Sequence, residues 1–205
     1  MSINFDEIID RHGTSCLKYD FAVERGYPKD VLPFWVADMD FRAPVPVIDA
    51  LTARTAHGIF GYTQVKDDYF NVLRDWFRTR HAWTVQRDEL VITPGVVFAI
   101  ATAIRAYTAP NDAVIIQQPV YYPFASMIRQ NGRTLIDSPL RFADGHYSID
   151  FADFEQKIID HKVKLFVLCS PHNPVGRVWT RAELEQLAAI CLRHHVIVVA
   201  DEIHE

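Results

Sequence analysis

The feature that most constrains the fold of this chain is the alternation of short apolar runs with helical patterns after residue 66. The apolar runs predict strands at 89–93, 112–117, 164–169 and 196–200. The stretches between and around them predict helices at 66–80, 96–107, 122–131, 151–160 and 180–194. Strands that are apolar on both faces and separated by helices form parallel sheets covered on both sides. The sequence therefore predicts such a sheet, with the run at 196–200 in its dry centre.

The part of the chain before residue 60 has a different pattern. Four prolines interrupt it, and a single helix is predicted at 46–57, where Gly58 ends it. This pattern predicts an arm and a linking helix in front of the alternating part.

Composition and charge disfavour several classes of function. With 205 residues, of which 49% are apolar and 23% charged, the chain is typical of a globular protein. Its 21 basic and 26 acidic residues give a net charge of −5, which disfavours binding to nucleic acid. The first seven residues lack the basic cap and apolar core of a secretory leader, and the weakly polar stretch at 95–104 is too short to span a bilayer. Three widely spaced cysteines fit reduced thiols, so a cytoplasmic location is expected.

The loops after the predicted strands are the candidate binding positions, because parallel sheets bind ligands at the carboxyl ends of their strands. These loops lie at 93–96, 118–122, 170–176 and 201–204. In the first, Gly95 opens a helix whose backbone amides and dipole would hold a phosphate. A tight turn from strand to helix explains the same glycine, and the glycine motifs of dinucleotide and P-loop sites are absent.

The other loops carry polar and aromatic residues with two interpretations each. Asp201 follows a predicted buried strand, where an ionised carboxylate needs a cation or several hydrogen-bond donors. In one interpretation it forms an ion pair or caps the strand end. In the other it pairs with the protonated ring nitrogen of a pyridoxal-type cofactor. Asn173, between two prolines, is either a turn residue or an amide donor. Tyr121 is either a core residue or a ring stacked on a flat ligand. Their convergence on one sheet edge favours the binding interpretation.

Four of these segments together resemble a known superfamily, the fold-type I pyridoxal-phosphate enzymes. The segments are Thr-Pro-Gly-Val-Val at 93–97, Pro-Val-Tyr-Tyr-Pro at 119–123, Ser-Pro-His-Asn-Pro-Val-Gly-Arg at 170–177 and Ala-Asp-Glu-Ile-His at 200–204. Further segments at 20–25, 34–41 and 57–62 are similar to the cystathionine β-lyase branch of the class I/II aminotransferases, the MalY/PatB type. The resemblance runs in order over the whole chain.

The resemblance implies an α/β fold, the three-layer, mainly parallel sheet of the aspartate aminotransferase-like large domain. That domain would be incomplete here and preceded by an N-terminal arm. Residues 1–50 would form the arm and part of a small domain, and residues 51–205 the N-terminal part of the domain that binds pyridoxal 5'-phosphate.

The resemblance also implies roles for individual residues. The implied cofactor-binding residues hold the phosphate (Gly95, Val96 and Val97), stack on the ring (Tyr121), donate to its phenolic oxygen (Asn173, with His204 as a second donor) and pair with its ring nitrogen (Asp201). Tyr62 would reach the phosphate of a neighbouring subunit, which implies a homodimer. Trp35, Val36, Ala37 and Asp38 would close over an amino-acid substrate.

The implied reaction is β-elimination from cystathionine or cysteine, which yields pyruvate, ammonia and a thiol. It needs a lysine that holds the cofactor as a Schiff base and moves the Cα proton. In the family this lysine follows the aspartate by a few dozen residues, so it is expected beyond Glu205; no catalytic residue is assigned in this chain. The expectation is that these residues are the N-terminal half of a longer enzyme and are inactive alone. Aminotransfer and a non-catalytic fragment stay open as alternatives.

A metal site is the disfavoured alternative. It would use His194, His195, His204, Asp201 and Glu205, but the first two are neighbours at a helix end and point apart. No metal is predicted.

Overall fold

The computed structural model describes residues 4–205; Met1, Ser2 and Ile3, part of the stretch inspected for a leader, lie outside the described residues. The chain divides into two compact units, Met1–Tyr69 and Phe70–Glu205. The division expected after residue 50 stays a prediction. None of the helices in the described part combines the length and hydropathy needed to cross a bilayer.

The first unit contains the predicted helix, α1 (Val45–His57), and a short 3-10 helix at Val23–Arg25. Pro46 stands in the first turn of α1, where its missing N–H costs nothing, and Gly58 ends the helix at φ 74°. The prediction of this helix and of its end is confirmed.

The second unit alternates helices and strands as the sequence predicts. The first helix of this part, α2 (Asp67–His81), begins three residues before the second unit. The other helices are α3 (Val96–Tyr107), α4 (Pro123–Gln130), α5 (Phe151–His161) and α6 (Arg181–Arg193). Its strands are β1 (Ala113–Ile116), β2 (Thr134–Asp137), β3 (Arg141–Ala143), β4 (His146–Ser148), β5 (Leu165–Cys169) and β6 (Ile197–Asp201).

Four strands form a parallel sheet in the order β2-β1-β5-β6. Alternate side chains of each strand point to opposite faces. Ile115 packs in the cluster under α5 and α6, whereas Val114 and Ile116 pack in the cluster under α3 and α4. The three-layer, mainly parallel fold is therefore confirmed, with helices covering both faces of the sheet.

The strand predicted at 89–93 is wrong. Residues 87–89 form a short 3-10 helix, and although Leu90 has extended dihedrals, this segment pairs with no strand among residues 4–205. Val91 is 84% exposed. A strand requires hydrogen bonds to a neighbour, and an apolar run does not supply that neighbour by itself.

Two further expectations about the sheet need correction. The sequence places the run at 196–200 in a dry centre, but β6 is the outer strand on its side of the described sheet, and Val198 is 42% exposed. The strand β2 is absent from the sequence prediction, because its four residues include Thr134 and Asp137 and give no long apolar run. Its pairing with β1 makes it a strand.

Between β2 and α5, the strands β3 and β4 form an antiparallel hairpin. Asp144 and Gly145 make its turn at φ 51° and φ 75°, the left-handed conformations that a two-residue hairpin turn of this type requires. The turn predicted from Asp-Gly is confirmed.

An ion pair fixes the start of α6 to this hairpin. The guanidinium of Arg177 donates to both carboxylate oxygens of Glu183 at 2.8 Å and also to the backbone carbonyl of Tyr147. Glu183 in turn accepts from the backbone N–H of Thr180 at 2.7 Å, which completes the predicted capping box. Burial raises the pKa of the Glu183 carboxyl, but the Thr180 amide and Arg177 outweigh it and hold that pKa below its usual value.

We expect Glu183→Gln to lower the free energy of unfolding by about 1–3 kcal/mol, because the partly buried guanidinium loses its charged acceptor. Glu183 has a lowered pKa when folded, so its contribution is complete above the usual glutamate value of 4.5 and is lost as the pH falls through the lowered value. Urea titrations at pH 7 and pH 3 of the protein that contains this chain test this, and the difference should shrink at pH 3.

The matched control is Glu185→Gln. Glu185 pairs with Arg181 at 2.8 Å, but both side chains are largely exposed, so a change of less than about 0.5 kcal/mol is expected. Equal losses in the two variants would contradict a special role for the Arg177 pair.

Candidate functional site

The carboxyl ends of β1, β5 and β6 lie along one edge of the sheet, as the parallel pairing requires. Cys169, the last residue of β5, stands opposite Asp201, the last residue of β6, and the N–H of Ser170 donates to the Asp201 carbonyl at 3.0 Å. The loops that follow β1 and β5 carry Tyr121 and Asn173. The structure therefore brings three predicted site residues to one edge.

Asp201 is a buried carboxylate without a cationic partner among residues 4–205. It is 6% exposed, and its Oδ1 accepts from the backbone N–H of Ile203 at 3.2 Å. Among residues 4–205 it takes part in no ion pair with Lys, Arg or His. A carboxylate in this position is costly unless a cationic group meets it, so its surroundings fit a protonated ring nitrogen.

The neighbouring polar and aromatic residues fit a flat ring beside Asp201. The backbone N–H of Asn173 donates to Cys169 Sγ at 3.5 Å, while its half-buried side-chain amide donates to no described residue. Tyr121 is half-buried, packs edge-on against Phe124 with ring centroids 5.9 Å apart, and lies against the apolar cluster under α3 and α4.

The N-terminus of α3 provides a place for an anion. No side chain in the described part of the chain caps this helix, so its first amides stay available. The Thr93 hydroxyl instead donates to the Gly95 carbonyl at 3.2 Å. Val96 packs against the same apolar cluster as Tyr121, and Val97 is 42% exposed. These groups fit a phosphate, although the loop follows an irregular segment and not the predicted strand.

Gly95 is required by its backbone conformation. It has φ 154° and ψ 163°, a region that only glycine adopts without strain, yet a Cβ built on it meets no atom within 4 Å. The glycine is therefore needed for the dihedral angles of the turn and not for space.

We expect Gly95→Ala to lower the free energy of unfolding by about 1–3 kcal/mol, the cost of holding alanine in this region or of moving the loop. Thermal or urea denaturation of the protein that contains this chain measures it. Gly61→Ala is the control, because Gly61 does not have a positive φ and an added methyl group would meet no atom within 4 Å. This control should change stability by less than about 0.5 kcal/mol.

Of the remaining predicted site residues, His204 follows Asp201 by three positions in the loop after β6, and the others belong to the first unit. His204 is exposed in the turn after β6. In the first unit, the Arg25 guanidinium lies 4.7 Å from the centre of the Trp35 ring, and Tyr62 is fully exposed. The roles of these residues and of Val36, Ala37 and Asp38 stay predictions.

The three lysines of the second unit lie away from the candidate site, and Lys162 caps the end of α5, where its N–H donates to the Ile159 carbonyl at 3.3 Å. Lys164 precedes β5 at the amino end of the sheet, where its N–H donates to the Ala113 carbonyl at 2.9 Å. Lys157 is on α5 and pairs with Asp153 at 3.0 Å. Within residues 4–205, no cluster of three or more His, Cys, Asp or Glu side chains has the arrangement of a metal site.

Two buried residues at this edge have no role in the sequence-based prediction. Gln117 and His172 are each 2% exposed, and neither amide atom of Gln117 nor Nδ1 of His172 has a partner among the described residues. Burial lowers the pKa of His172, although the carbonyl of Pro119 opposes the shift. His172 lies inside the segment 170–177 that carries the family resemblance. That position is the feature of the sequence from which His172 could have been chosen as a candidate site residue.

Two of the three cysteines are buried thiols. Burial raises the pKa of Cys191 to about 12 and also raises the pKa of Cys169, even though the Asn173 amide bonds its sulfur. Cys16 is only partly buried. Because the thiolate is the reactive form, Cys169 and Cys191 are protected both by burial and by protonation.

We expect iodoacetamide at pH 7.5 to alkylate Cys16 first in the native protein and to leave Cys169 and Cys191 unmodified until unfolding. Peptide mass spectrometry over a time course measures the order. Labelling in 6 M urea is the control in which all three should react, and early native labelling of Cys191 would contradict its burial.

Comparison with known proteins identifies the family. Residues 29–205 match aminotransferase class I and II. The chain belongs to this family. It is 47% identical over 202 residues to cystathionine beta-lyase PatB of Bacillus subtilis and 38% identical over 203 residues to protein MalY of Escherichia coli; each alignment covers 98% of this chain and 52% of the relative.

A solved structure supports the same membership. Cystalysin from Treponema denticola, whose crystal structure contains a pyridoxal 5'-phosphate cofactor, superposes with a TM-score of 0.90 at 38% identity, over 99% of this chain and 52% of that one. The resemblance read from the motifs and the large-domain fold class are confirmed. This class I and II aminotransferase chain spans about half the length of the relatives that it matches.

Proposed function

We propose that the protein containing this chain is a pyridoxal-phosphate-dependent carbon-sulfur β-lyase acting on cystathionine or cysteine. The observation that carries the proposal is the buried Asp201 carboxylate, which has no cationic partner among the described residues. The named activity of PatB and the cofactor of cystalysin support it.

Each residue at the sheet edge has one task in this proposal. Pyridoxal phosphate, when bound, supplies an electron-poor ring that takes up the electron pair released at Cα of an amino acid. Asp201 holds a proton on the ring nitrogen, which keeps that ring electron-poor. Asn173 donates its amide to the phenolic oxygen, and the ring of Tyr121 covers one face. The amides of Gly95, Val96 and Val97 hold the phosphate.

The overall reaction balances with one water. The Cα proton leaves to a base, the Cβ–S bond breaks with its electron pair on sulfur, and the sulfur takes up a proton as the thiol leaves. Hydrolysis of the remaining enamine then gives pyruvate and ammonia. The assigned base is the lysine amine that the family resemblance implies outside residues 1–205; Lys157, Lys162 and Lys164 of the second unit lie on α5 or before β5, away from Asp201.

The finer assignments complete the proposal. His204 is a second donor to the phenolic oxygen. The segment that closes over the substrate consists of Trp35, Val36, Ala37 and Asp38. Tyr62 reaches the phosphate of a second subunit in a homodimer. The exposed ring of Tyr62 is consistent with a contact outside its own chain. A cytoplasmic enzyme of amino-acid metabolism, with reduced thiols, is the setting that fits these residues.

The deciding experiment incubates the whole protein, with pyridoxal phosphate, with cystathionine or cysteine. We expect equimolar pyruvate, ammonia and thiol without any added keto acid. Product formation that depends on an added keto acid would instead establish aminotransfer. The 205-residue chain alone, which lacks the proposed lysine amine, should form no pyruvate.

We expect Asp201→Asn to lower kcat by about 10²–10³-fold, because the amide keeps the size of the side chain but cannot hold the proton on the ring nitrogen. Steady-state pyruvate formation by the whole protein measures it. Asp112→Asn is the matched control; Asp112 accepts from Ala109 N–H at the opposite end of β1, at 2.7 Å, and should leave kcat unchanged. Full activity of Asp201→Asn would exclude the assigned role.

A further inference from the structure

The ring of His172 connects the two loops that carry Tyr121 and Asn173. Its Nε2 lies 3.0 Å from the carbonyl oxygen of Pro119, two residues before Tyr121, and its own backbone leads directly into Asn173. A carbonyl oxygen only accepts, so Nε2 carries the hydrogen and donates it. The bond therefore spans from the loop after β5 to the loop after β1.

Several contacts fix this ring. Trp179 packs against it with centroids 5.4 Å apart and an interplanar angle of 86°, and Trp179 is itself held by donation from Nε1 to the Cys169 carbonyl at 3.0 Å. The backbone of His172 donates to the Arg177 carbonyl at 2.7 Å and accepts from the Gly176 N–H at 2.8 Å. The imidazole therefore has little freedom of rotation.

The loop after β1 is also held by the segment on its β2 side, away from β5. The N–H of Gln118 donates to Asp137 Oδ1 at 3.0 Å, and the Leu140 N–H donates to the Gln118 carbonyl at 2.7 Å. These bonds fasten the loop towards β2, and the bond from His172 fastens it towards β5. On the β5 side, the bond from His172 adds to the packing of Tyr121 against the apolar cluster in setting the position of Tyr121 relative to Asn173.

The choice of histidine has a visible cost. Its Nδ1 is buried and has no partner among the described residues, which an apolar side chain of similar size would avoid. The gain is a donor at Nε2, which bonds the carbonyl of Pro119 in the neighbouring loop.

We infer that His172 is a positioning residue, which holds the loops of Tyr121 and Asn173 at the separation at which both contact one ring. This inference rests on the proposed function, since the ring is that of pyridoxal phosphate. His172 is itself 2% exposed and its Nε2 is committed to Pro119, so it acts through its neighbours and not on the reacting atoms.

The test compares His172→Gln, whose amide can still donate to Pro119, with His172→Leu, which fills similar space without a donor. In the whole protein, a pyridoxal phosphate titration followed by absorbance and circular dichroism gives the dissociation constant and the spectrum of the bound cofactor. We expect the leucine variant to bind about 3- to 10-fold more weakly with an altered dichroic band, and the glutamine variant to resemble wild type.

A second measurement does not depend on the cofactor. Without pyridoxal phosphate, amide hydrogen exchange of the peptide 118–124 should be faster in His172→Leu than in wild type and should be restored in His172→Gln. Ser138→Ala is the control; it removes another buried bond, from Ser138 Oγ to Asp153 at 2.7 Å, and should lower stability without changing cofactor affinity or exchange at 118–124.

The outcomes separate the two proposals. Equal weakening of cofactor binding by the leucine and glutamine variants, or a loss of stability without any change in affinity or exchange, would overturn the positioning role and leave the proposed function in place. Wild-type protein that binds no pyridoxal phosphate would overturn the proposed function, and the positioning role towards the cofactor would fall with it.

Discussion

The parallel pairing of β5 with a strand on each side is the constraint on which the candidate site depends. β5 is apolar on both faces and hydrogen-bonds β1 on one side and β6 on the other. Because all three strands run in the same direction, their carboxyl ends emerge together. Side chains that are far apart in sequence, such as Tyr121 and Asp201, reach one edge of the sheet through this pairing alone.

The edge so formed combines groups that are costly to bury. The carboxylate of Asp201 is buried and accepts from one backbone N–H. Gln117 and His172 have buried polar side-chain atoms without partners in the described part of the chain. A fold selected for stability alone would place apolar residues there. Their concentration at one end of three strands is the physical reason for assigning binding and chemistry to this end.

The loops at this edge are stiffened by bonds to their surroundings. The Arg177 pair with Glu183 ties the loop after β5 to the start of α6 and to the hairpin, while His172 ties it to the loop after β1. Preorganisation of this kind fixes donors before a ligand arrives, so that less ordering is left for the binding step. The same loops hold the residues that the family resemblance marks for the cofactor.

Local rules account for much of the fold. The end of α1 at Gly58, the hairpin turn at Asp144 and the capping box at Thr180 each depend on residues within a few positions, so the sequence predicts them correctly. The strand predictions that failed depend on pairing between strands. The run at 89–93 has the composition of a strand but no partner among the described residues, and β2 lacks that composition but pairs with β1.

The sequence by itself determined the family, the three-layer class of fold and the loops in which the candidate residues lie, because motifs and apolar periodicity are properties of neighbouring residues. Only the tertiary structure decided that Asp201 has no cationic partner among the described residues and ends an outer strand of the described sheet, and that His172 bonds Pro119 across 53 positions. Burial and contact between distant segments depend on how the strands assemble, and no local pattern encodes them.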